Sequence, residues 1–182
     1  MDEHKDFEAI RMCLQGEVDA FETIIDKYQK QVLSLAYRIV RNFEDARDIS
    51  QSVFVKAFGS LPSYNPRYKF FSWLYRIAIN ESLNFVDKRN RRIGPDAAWT
   101  AAAMDPGDQL AASELSGKIE KALMCLNARQ RALLALSADG RSYKEIGLML
   151  EQSEKKVKSN LYSARHKLRE LLGRDGWRTH DR

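Results

Sequence analysis

Apolar residues recur at the spacing of an α-helix along most of this chain. Near the C-terminus Val157, Leu161, Ala164, Leu168 and Leu171 lie at i, i+4, i+7, i+11 and i+14, so one helix would present all five on one side. The chain has only 9 Gly and 4 Pro and no alternating β-branched stretches bounded by hairpin turns. The sequence therefore predicts an all-α protein.

The segment 93–112 interrupts this pattern. It contains two prolines, two glycines, seven alanines and no periodic apolar face, which is typical of a linker. We therefore predict two small helical domains, 1–92 and 113–182, joined by a flexible linker that reaches at most roughly 66 Å when extended. Trp99 and Met104 are unusual in a free linker, and they are expected either to pack on a domain or to enter a groove of a partner.

The net charge of +5 is distributed unevenly. Residues 64–92 carry +5 and residues 113–182 carry +6, whereas residues 1–63 and 93–112 each carry −3. A single basic zone could be a solvated surface, but two zones on two helical units indicate two contacts with a polyanion.

Several protein classes are excluded by what the sequence lacks. The longest apolar runs are a few residues, far short of the ~20 that span a bilayer, and the acidic start Met1-Asp2-Glu3 is no signal peptide, so we expect a cytoplasmic protein without membrane insertion. Cys13 and Cys125 have neither a CxxC partner nor a histidine cluster, and they are expected to be reduced thiols in the core. No clustered carboxylates, HxE with CxxC, or P-loop indicates an enzyme acting on nucleic acid, and no metal or cofactor is expected.

The C-terminal unit has the start signals of a helix-turn-helix. Ser142 and Glu145 form a capping box that begins a helix ending near Leu150, and Ser153 is an N-cap for a long helix through Leu172. A short capped helix, a tight turn and a long basic helix are typical of a motif whose second helix enters the major groove. The alternative is a bundle helix with a solvated basic surface. Side chains predicted on its outward surface are Lys155, Lys158, Ser159, Tyr162 and Ser163.

In the N-terminal unit the helix 44–58 predicts a docking surface. Val55 lies on its polar side, flanked by Asp48 and Gln51. An apolar side chain among polar ones supplies area to bury and groups that fix the register of a partner, although single exposed apolar residues are also normal. Upstream, Asp19 and Glu22 resemble another capping box.

The polar loop 63–69 leads into a helix with a sharply ordered polar stripe. On a helical wheel Trp73, Arg76, Asn84, Asp87 and Arg91 lie within about 40° of Asn80. Cations interleaved with aromatic rings suit a single strand with unstacked bases. The alternative is an aromatic core cluster, which we favour for Phe70 and Phe71.

Three segments together resemble bacterial sigma factors of the extracytoplasmic function (ECF) type: DARDISQSVFVKAF at 45–58, FFSWLYRIAIN at 70–80 and YSARHKL at 162–168. The resemblance implies a sigma region 2-like domain at 1–92 and a region 4-like helix-turn-helix domain at 113–182. It implies a dissociable specificity subunit without an active site. Its partners would be core RNA polymerase, through the β′ clamp helices and the β subunit, promoter DNA, and an anti-sigma factor that blocks polymerase binding until a stress signal arrives.

The resemblance also implies a role for individual residues. Positions matching the polymerase-binding face are Asp48, Gln51, Ser52 and Val55. Positions matching contacts with the minus-10 element are Tyr64, Asn65, Arg67, Tyr68, Trp73, Arg76, Asn80, Asn84, Lys88, Arg89, Arg91 and Arg92. Positions matching the minus-35 contacts are Lys155, Lys156, Lys158, Ser159, Tyr162 and Ser163, the last standing where the family frequently has arginine.

A conventional helix-turn-helix regulator that binds DNA on its own is the main alternative. Its N-terminal unit would bind a ligand or form a dimer. That alternative leaves the stripe from Trp73 to Arg91 and the face around Asp48 and Gln51 unexplained.

Overall fold

The computed structural model of the chain describes residues 3–93 and 114–174, and within these ranges every regular element is helical. This confirms the all-α prediction. The predicted linker, with Trp99 and Met104, lies outside the described residues except for Ile93, the last residue of a helix. The helices are α1 (Glu3–Leu14), α2 (Glu22–Val40), α3 (Phe43–Ser60), α4 (Phe70–Ile93), α5 (Glu114–Met124), α6 (Ala128–Ala138), α7 (Tyr143–Leu150) and α8 (Glu154–Arg174), with 3₁₀ turns at Val18–Phe21 and Leu61–Ser63.

Helices α2, α3 and α4 pack on one another to form the N-terminal unit. Their apolar faces meet in a core that includes the fully buried Ile24, Leu35 and Leu74. Helix α1 is attached by a polar contact, because the buried Asp6 carboxylate accepts a hydrogen bond of 2.6 Å from the Tyr28 hydroxyl and also pairs with Lys27. A buried carboxylate is tolerated where hydrogen bonds satisfy it.

The capping box predicted at Asp19 is wrong. A 3₁₀ turn occupies Val18–Phe21, and α2 begins at Glu22 without a side-chain cap. Burial of Phe21, whose ring meets Phe58 edge-on at 5.2 Å, determines how the chain enters α2, so packing outweighs the local capping signal.

In the C-terminal unit the predicted capping signals are confirmed. The Ser142 hydroxyl accepts from the Glu145 amide at 3.2 Å, and Glu145 accepts from the Ser142 amide at 3.0 Å. The Ser142 amide, together with the Ser142 hydroxyl that donates to the same carboxylate at 2.8 Å, holds the pKa of Glu145 below its usual value. Ser153 accepts from the Lys156 amide at 3.3 Å at the start of α8. Val157, Leu161 and Ala164 are buried, as the periodicity predicts.

The two units pack on each other, α6 against α2 and α7 against α4. The Arg131 guanidinium of α6 donates to the Ile39 carbonyl at the end of α2 at 2.7 Å. Arg38 pairs with Asp139 at 2.7 Å, and the Arg141 guanidinium lies 3.9 Å from the centre of the Phe71 ring. We call this the closed arrangement.

Two further ion pairs join the units at unusual backbone positions. Arg41 pairs with Glu120, and Arg76 pairs with Glu151. Arg41 (φ 60°) and Glu151 (φ 55°) are the only non-glycine residues with positive φ in the described part of the chain, and each ends its helix in the left-handed conformation. That conformation is unfavourable for side-chain-bearing residues and persists where surrounding contacts maintain it.

One of the two cysteines differs from the expectation. Both thiols are free; Cys13 is half-buried and packs against the hydrophobic core, whereas Cys125 is exposed, so the prediction of a core thiol is wrong for Cys125. Cys125 directly follows the last residue of α5, where the chain turns towards α6 and no helix covers it. Burial raises the pKa of the Cys13 thiol.

Candidate nucleic-acid and protein interfaces

Helix α3 presents the predicted docking face to solvent. Asp48 and Gln51 are exposed. Val55 lies one helical turn after Gln51 and two turns after Asp48, and it is 73% exposed. Ser52 is half-buried, and its hydroxyl donates to the Glu81 carboxylate of α4 at 3.2 Å. The face is therefore an exposed valine surrounded by polar groups, with Ser52 connected to α4.

Glu81 is a residue that the sequence did not single out. Its carboxylate also pairs with Lys56 at 2.6 Å, so two residues of α3 share one acceptor on α4. This contact holds the side chains of Ser52 and Lys56 against α4. Nothing in the sequence pairs residues that are 25 or more positions apart, and only the packing of α3 on α4 reveals the contact.

The loop before α4 is organised by its own side chains. The Tyr64 hydroxyl donates to the Tyr68 carbonyl at 2.6 Å, and the Asn65 side chain accepts from the Arg67 amide at 3.0 Å. The side chains of Asn65, Arg67 and Tyr68 are exposed. A loop closed by internal hydrogen bonds holds these groups in place with a small entropy cost on binding.

Trp73 is half-buried, whereas the helical pattern predicts an outward position. Its ring centre lies 5.4 Å from those of Tyr64 and Phe70, so the three rings form an aromatic cluster at the start of α4. The tilted packing leaves part of the Tyr64 and Trp73 rings accessible. Phe70 and Phe71 are buried, which confirms their assignment to the core.

The rest of the stripe on α4 faces solvent, with one exception. Arg89 is half-buried and pairs with Asp45 of α3 at 3.2 Å. Burial raises the pKa of Asp45, and the neighbouring Arg89 opposes that rise. Arg89 therefore connects α4 to α3, whereas Lys88, Arg91 and Arg92, the other predicted phosphate contacts, are exposed to solvent. The exposed residues are Arg76, Asn80, Asn84, Asp87, Lys88, Arg91 and Arg92.

The side chains predicted to contact the minus-35 element are all exposed. Tyr162 is 71% exposed, and its ring is parallel to that of His166 with the centres 6.3 Å apart. Arg165 points elsewhere, donating to the Ser137 hydroxyl of α6 at 2.7 Å, so it attaches α8 to its own domain. All six predicted side chains are exposed near the start of α8: Lys155, Lys156, Lys158, Ser159, Tyr162 and Ser163.

Metal-binding clusters and membrane-spanning helices are absent from the described residues. Across 3–93 and 114–174, no three His, Cys, Asp or Glu side chains are grouped so that they could hold a metal ion. Within the same ranges, each helix is either too short or too polar to cross a bilayer.

Comparison with known proteins accounts for both halves of the chain. Residues 24–92 match Sigma-70 region 2, and residues 116–168 match Sigma-70, region 4. The ECF RNA polymerase sigma factor SigW of Bacillus subtilis (strain 168) is 31% identical over 176 residues, which cover 90% of this chain and 94% of SigW. The ECF RNA polymerase sigma-E factor of Escherichia coli (strain K12) is 29% identical over 164 residues, which cover 83% of this chain and 85% of that factor.

A solved structure is similar in the same way. The sigma factor RpoE from Bartonella quintana, in a co-crystal with the anti-sigma factor NepR, superimposes with a TM-score of 0.69 at 25% identity, covering 85% of this chain and 98% of RpoE. Both regions and nearly the full length of the relatives are matched, so a conventional regulator with an unrelated N-terminal domain is excluded. The chain belongs to the ECF family of RNA polymerase sigma factors: it is a non-enzymatic subunit that binds core RNA polymerase and directs it to promoters.

Proposed function

We propose that this sigma factor divides its work among three surfaces. The face of α3 around Asp48, Gln51, Ser52 and Val55 binds the clamp helices of the polymerase β′ subunit. The loop at 64–69 and the stripe on α4 bind the minus-10 element. The first half of α8 binds the minus-35 element in the major groove, within a domain that we place at 113–182 after a linker at 93–112.

One observation carries this proposal: all six predicted contact side chains of α8 are exposed on one part of the helix that follows the capped α7 and a short turn. This is the arrangement in which the N-terminal part of a recognition helix reaches base edges. Residues 155–163 span roughly 12 Å of helix, enough for three to four base pairs at about 3.4 Å each.

The α4 surface suits a different form of DNA. Separating one base step costs about 1.4 kcal/mol on average, and stacking a base on an aromatic side chain returns ~1–3 kcal/mol. The accessible parts of Tyr64 and Trp73 can therefore offset the first steps of opening, with the exposed cations of α4 near the phosphates. They cannot melt a whole transcription bubble, so polymerase contacts supply the rest, and the free chain should bind promoter DNA weakly.

The direct test is run-off transcription with core polymerase and fragments of the source genome. We expect specific transcripts only when the chain is present, starting downstream of a shared pair of sequence elements. Transcription without such a pair, or tight sequence-specific DNA binding by the isolated chain, would contradict the proposed division.

Lys158 offers a test of the minus-35 assignment. If the ammonium group contacts a base, Lys158→Ala should cost about 1–3 kcal/mol at promoters carrying that base and much less at promoters that lack it. Filter binding of the holoenzyme to minus-35 variants measures this, with Lys121→Ala on the exposed side of α5 as the matched control. Equal losses at every promoter would indicate a phosphate contact instead.

The closed arrangement is incompatible with binding both elements at once. The ion pair between Arg76 and Glu151 places the α4 stripe beside the turn that precedes α8. By their names the two promoter elements lie about 10 and about 35 base pairs before the transcription start, so they are roughly 85 Å apart at about 3.4 Å per base pair. The two domains must therefore separate when the chain binds polymerase and promoter.

The two left-handed residues allow this separation to be tested without unfolding either domain. In Arg41→Gly/Glu151→Gly, glycine suits the positive φ at both helix ends, while two of the interdomain ion pairs are lost and the pair between Arg38 and Asp139 remains. Partly exposed pairs contribute about 0.2–1 kcal/mol each, so the equilibrium constant for the closed arrangement should fall by up to about thirty-fold. Small-angle X-ray scattering should show a larger radius of gyration than for the control Glu44→Gln/Arg47→Gln, which removes an exposed pair within one domain. An unchanged radius would count against this role of the pairs.

A protein partner and a location complete the proposal. The Bartonella quintana relative was solved with an anti-sigma factor. We extend this kind of partner to the present chain, with the exposed face of α3 as one surface it would cover. Because the polymerase acts in the cytoplasm, we place the chain there.

A further inference from the structure

A cleft of about 370 Å³ lies between the two domains. The second half of α4 and the end of α2 form one side, and the turn from α5 to α6 forms the other. Its size is in the lower part of the range for small-molecule sites, about 300–1,000 Å³. Such sites occur preferentially at domain interfaces. Among the residues assigned to the three proposed surfaces, the cleft shares Asp87 and Arg89 of α4.

The cleft contains an unusual buried cation. Arg131 is only 8% exposed, and its guanidinium donates to the carbonyls of Ile39 and Leu126. No carboxylate among the described residues pairs with it, whereas Arg41 and Arg89 lie close enough to repel it. Burial and this repulsion lower the pKa of Arg131 to about 10. A buried charge lacking an opposite charge is costly, and a bound anion would offset that cost.

The nearby charges do not remove the positive excess. Arg41 is compensated by Glu120 and Arg89 by Asp45, which leaves Arg131 uncompensated. Arg129 adds an exposed cation to the cleft at the first turn of α6, where backbone amides also favour an anion. Asp87 is the one carboxylate of the lining, and it is exposed.

The apolar and amide side chains of the lining indicate what the uncharged part of a ligand should look like. Leu83 and Val86 of α4 on one side, and Leu126 after α5 on the other, are buried apolar side chains of the lining. The exposed Asn90 amide and the amide NH₂ of Asn127, whose oxygen caps α6, add groups to the lining that bind hydroxyl and carbonyl functions. An oxyanion with a flat, partly polar body matches this lining better than a bare ion or an aliphatic acid.

We propose that the interdomain cleft binds a phosphorylated small molecule of nucleotide size, with its phosphate on Arg129 and Arg131 and its body against the wall formed by α4. Arginine is suited to this because its planar guanidinium bonds phosphate oxygens in pairs. The bound ligand contacts both domains, so it stabilises the closed arrangement and opposes promoter binding. This regulatory consequence rests on the proposed separation of the domains; ligand binding itself does not.

Isothermal titration calorimetry of the full chain tests the binding, with AMP, GMP, inorganic phosphate and octanoate as probes. We expect one nucleotide to bind saturably at one site and at least ten-fold more tightly than phosphate or octanoate. Arg129→Glu replaces a cation that binds the phosphate with an anion, so it should weaken that binding at least ten-fold. Because the side chain is exposed, the variant should keep the fold. Lys30→Glu, the same charge change on an exposed part of α2, should leave the affinity unchanged.

Scattering then tests the regulation. The nucleotide that binds should reduce the radius of gyration of Arg41→Gly/Glu151→Gly, and it should not do so when Arg129→Glu is added. Absence of saturable binding by both nucleotides, equal affinity in Arg129→Glu, or tighter binding of octanoate would overturn the proposal. Run-off transcription by the Arg129→Glu holoenzyme reports separately on the proposed function, since that variant should initiate normally.

Discussion

Replacing Val55 with aspartate should weaken binding of core RNA polymerase by about thirty-fold or more. A carboxylate buried without a partner in place of this apolar contact should cost about 2 kcal/mol or more, the size of a hot-spot effect. Because Val55 is 73% exposed in the chain itself, the variant should keep the melting temperature of the wild type. Competition binding measured by fluorescence anisotropy with labelled chain gives the affinity.

Val18→Asp is the matched control, since Val18 is another exposed valine but lies in the 3₁₀ turn before α2, away from the docking face. Gln51→Ala and Asp48→Ala should weaken polymerase binding by smaller factors without changing promoter preference. Normal binding by Val55→Asp would remove the assignment of this face, as would a change confined to DNA sequence choice in the other two variants.

Gly147→Ala should destabilise the C-terminal domain and abolish recognition of the minus-35 element. A Cβ atom at residue 147 would lie 2.5 Å from the backbone carbonyl oxygen of Gln152, closer than real contacts allow. The turn between α7 and α8 cannot give way by a side-chain rotation, because the clash is with backbone. Forced overpacking of this kind typically costs about 1–3 kcal/mol.

The clash also bears on function. The Gln152 amide donates to the Gly147 carbonyl at 2.9 Å, so a shift of this turn changes the direction in which α8 leaves α7. Calorimetric melting and holoenzyme binding to a minus-35 element measure the two effects. Gly117→Ala in α5 is the control: open space surrounds that position, and alanine in a helix should stabilise by roughly 0.5–1 kcal/mol. A Gly147→Ala chain as stable as Gly117→Ala would contradict the argument.

The features that sequence analysis predicted correctly are local ones. The capping box of Ser142 and Glu145, the N-cap at Ser153 and the exposure of Val55 each depend on residues within one or two turns of one helix. Hydrogen bonds at helix ends and the 3.6-residue repeat act over that range, so the linear order of residues contains the information.

The wrong predictions have the opposite character. Trp73 is half-buried because Tyr64 and Phe70 pack on its ring, and Asp19 forms no capping box because Phe21 is buried against Phe58. A helical wheel places a side chain on a face but does not show what covers that face. Cys125 is exposed because it lies on the solvent side of the turn after α5, where the next residue, Leu126, is the one that is buried.

Composition and periodicity were thus enough to predict an all-helical chain of two units, and the resemblance of three segments indicated the family that the comparisons then showed. Only the folded chain shows that Arg131 is buried between those units, that Arg41 and Glu151 hold left-handed positions in ion pairs across them, and that a cleft remains there. These contacts join residues about 75 to 92 positions apart. Their geometry depends on how whole helices pack, which no short stretch of sequence specifies.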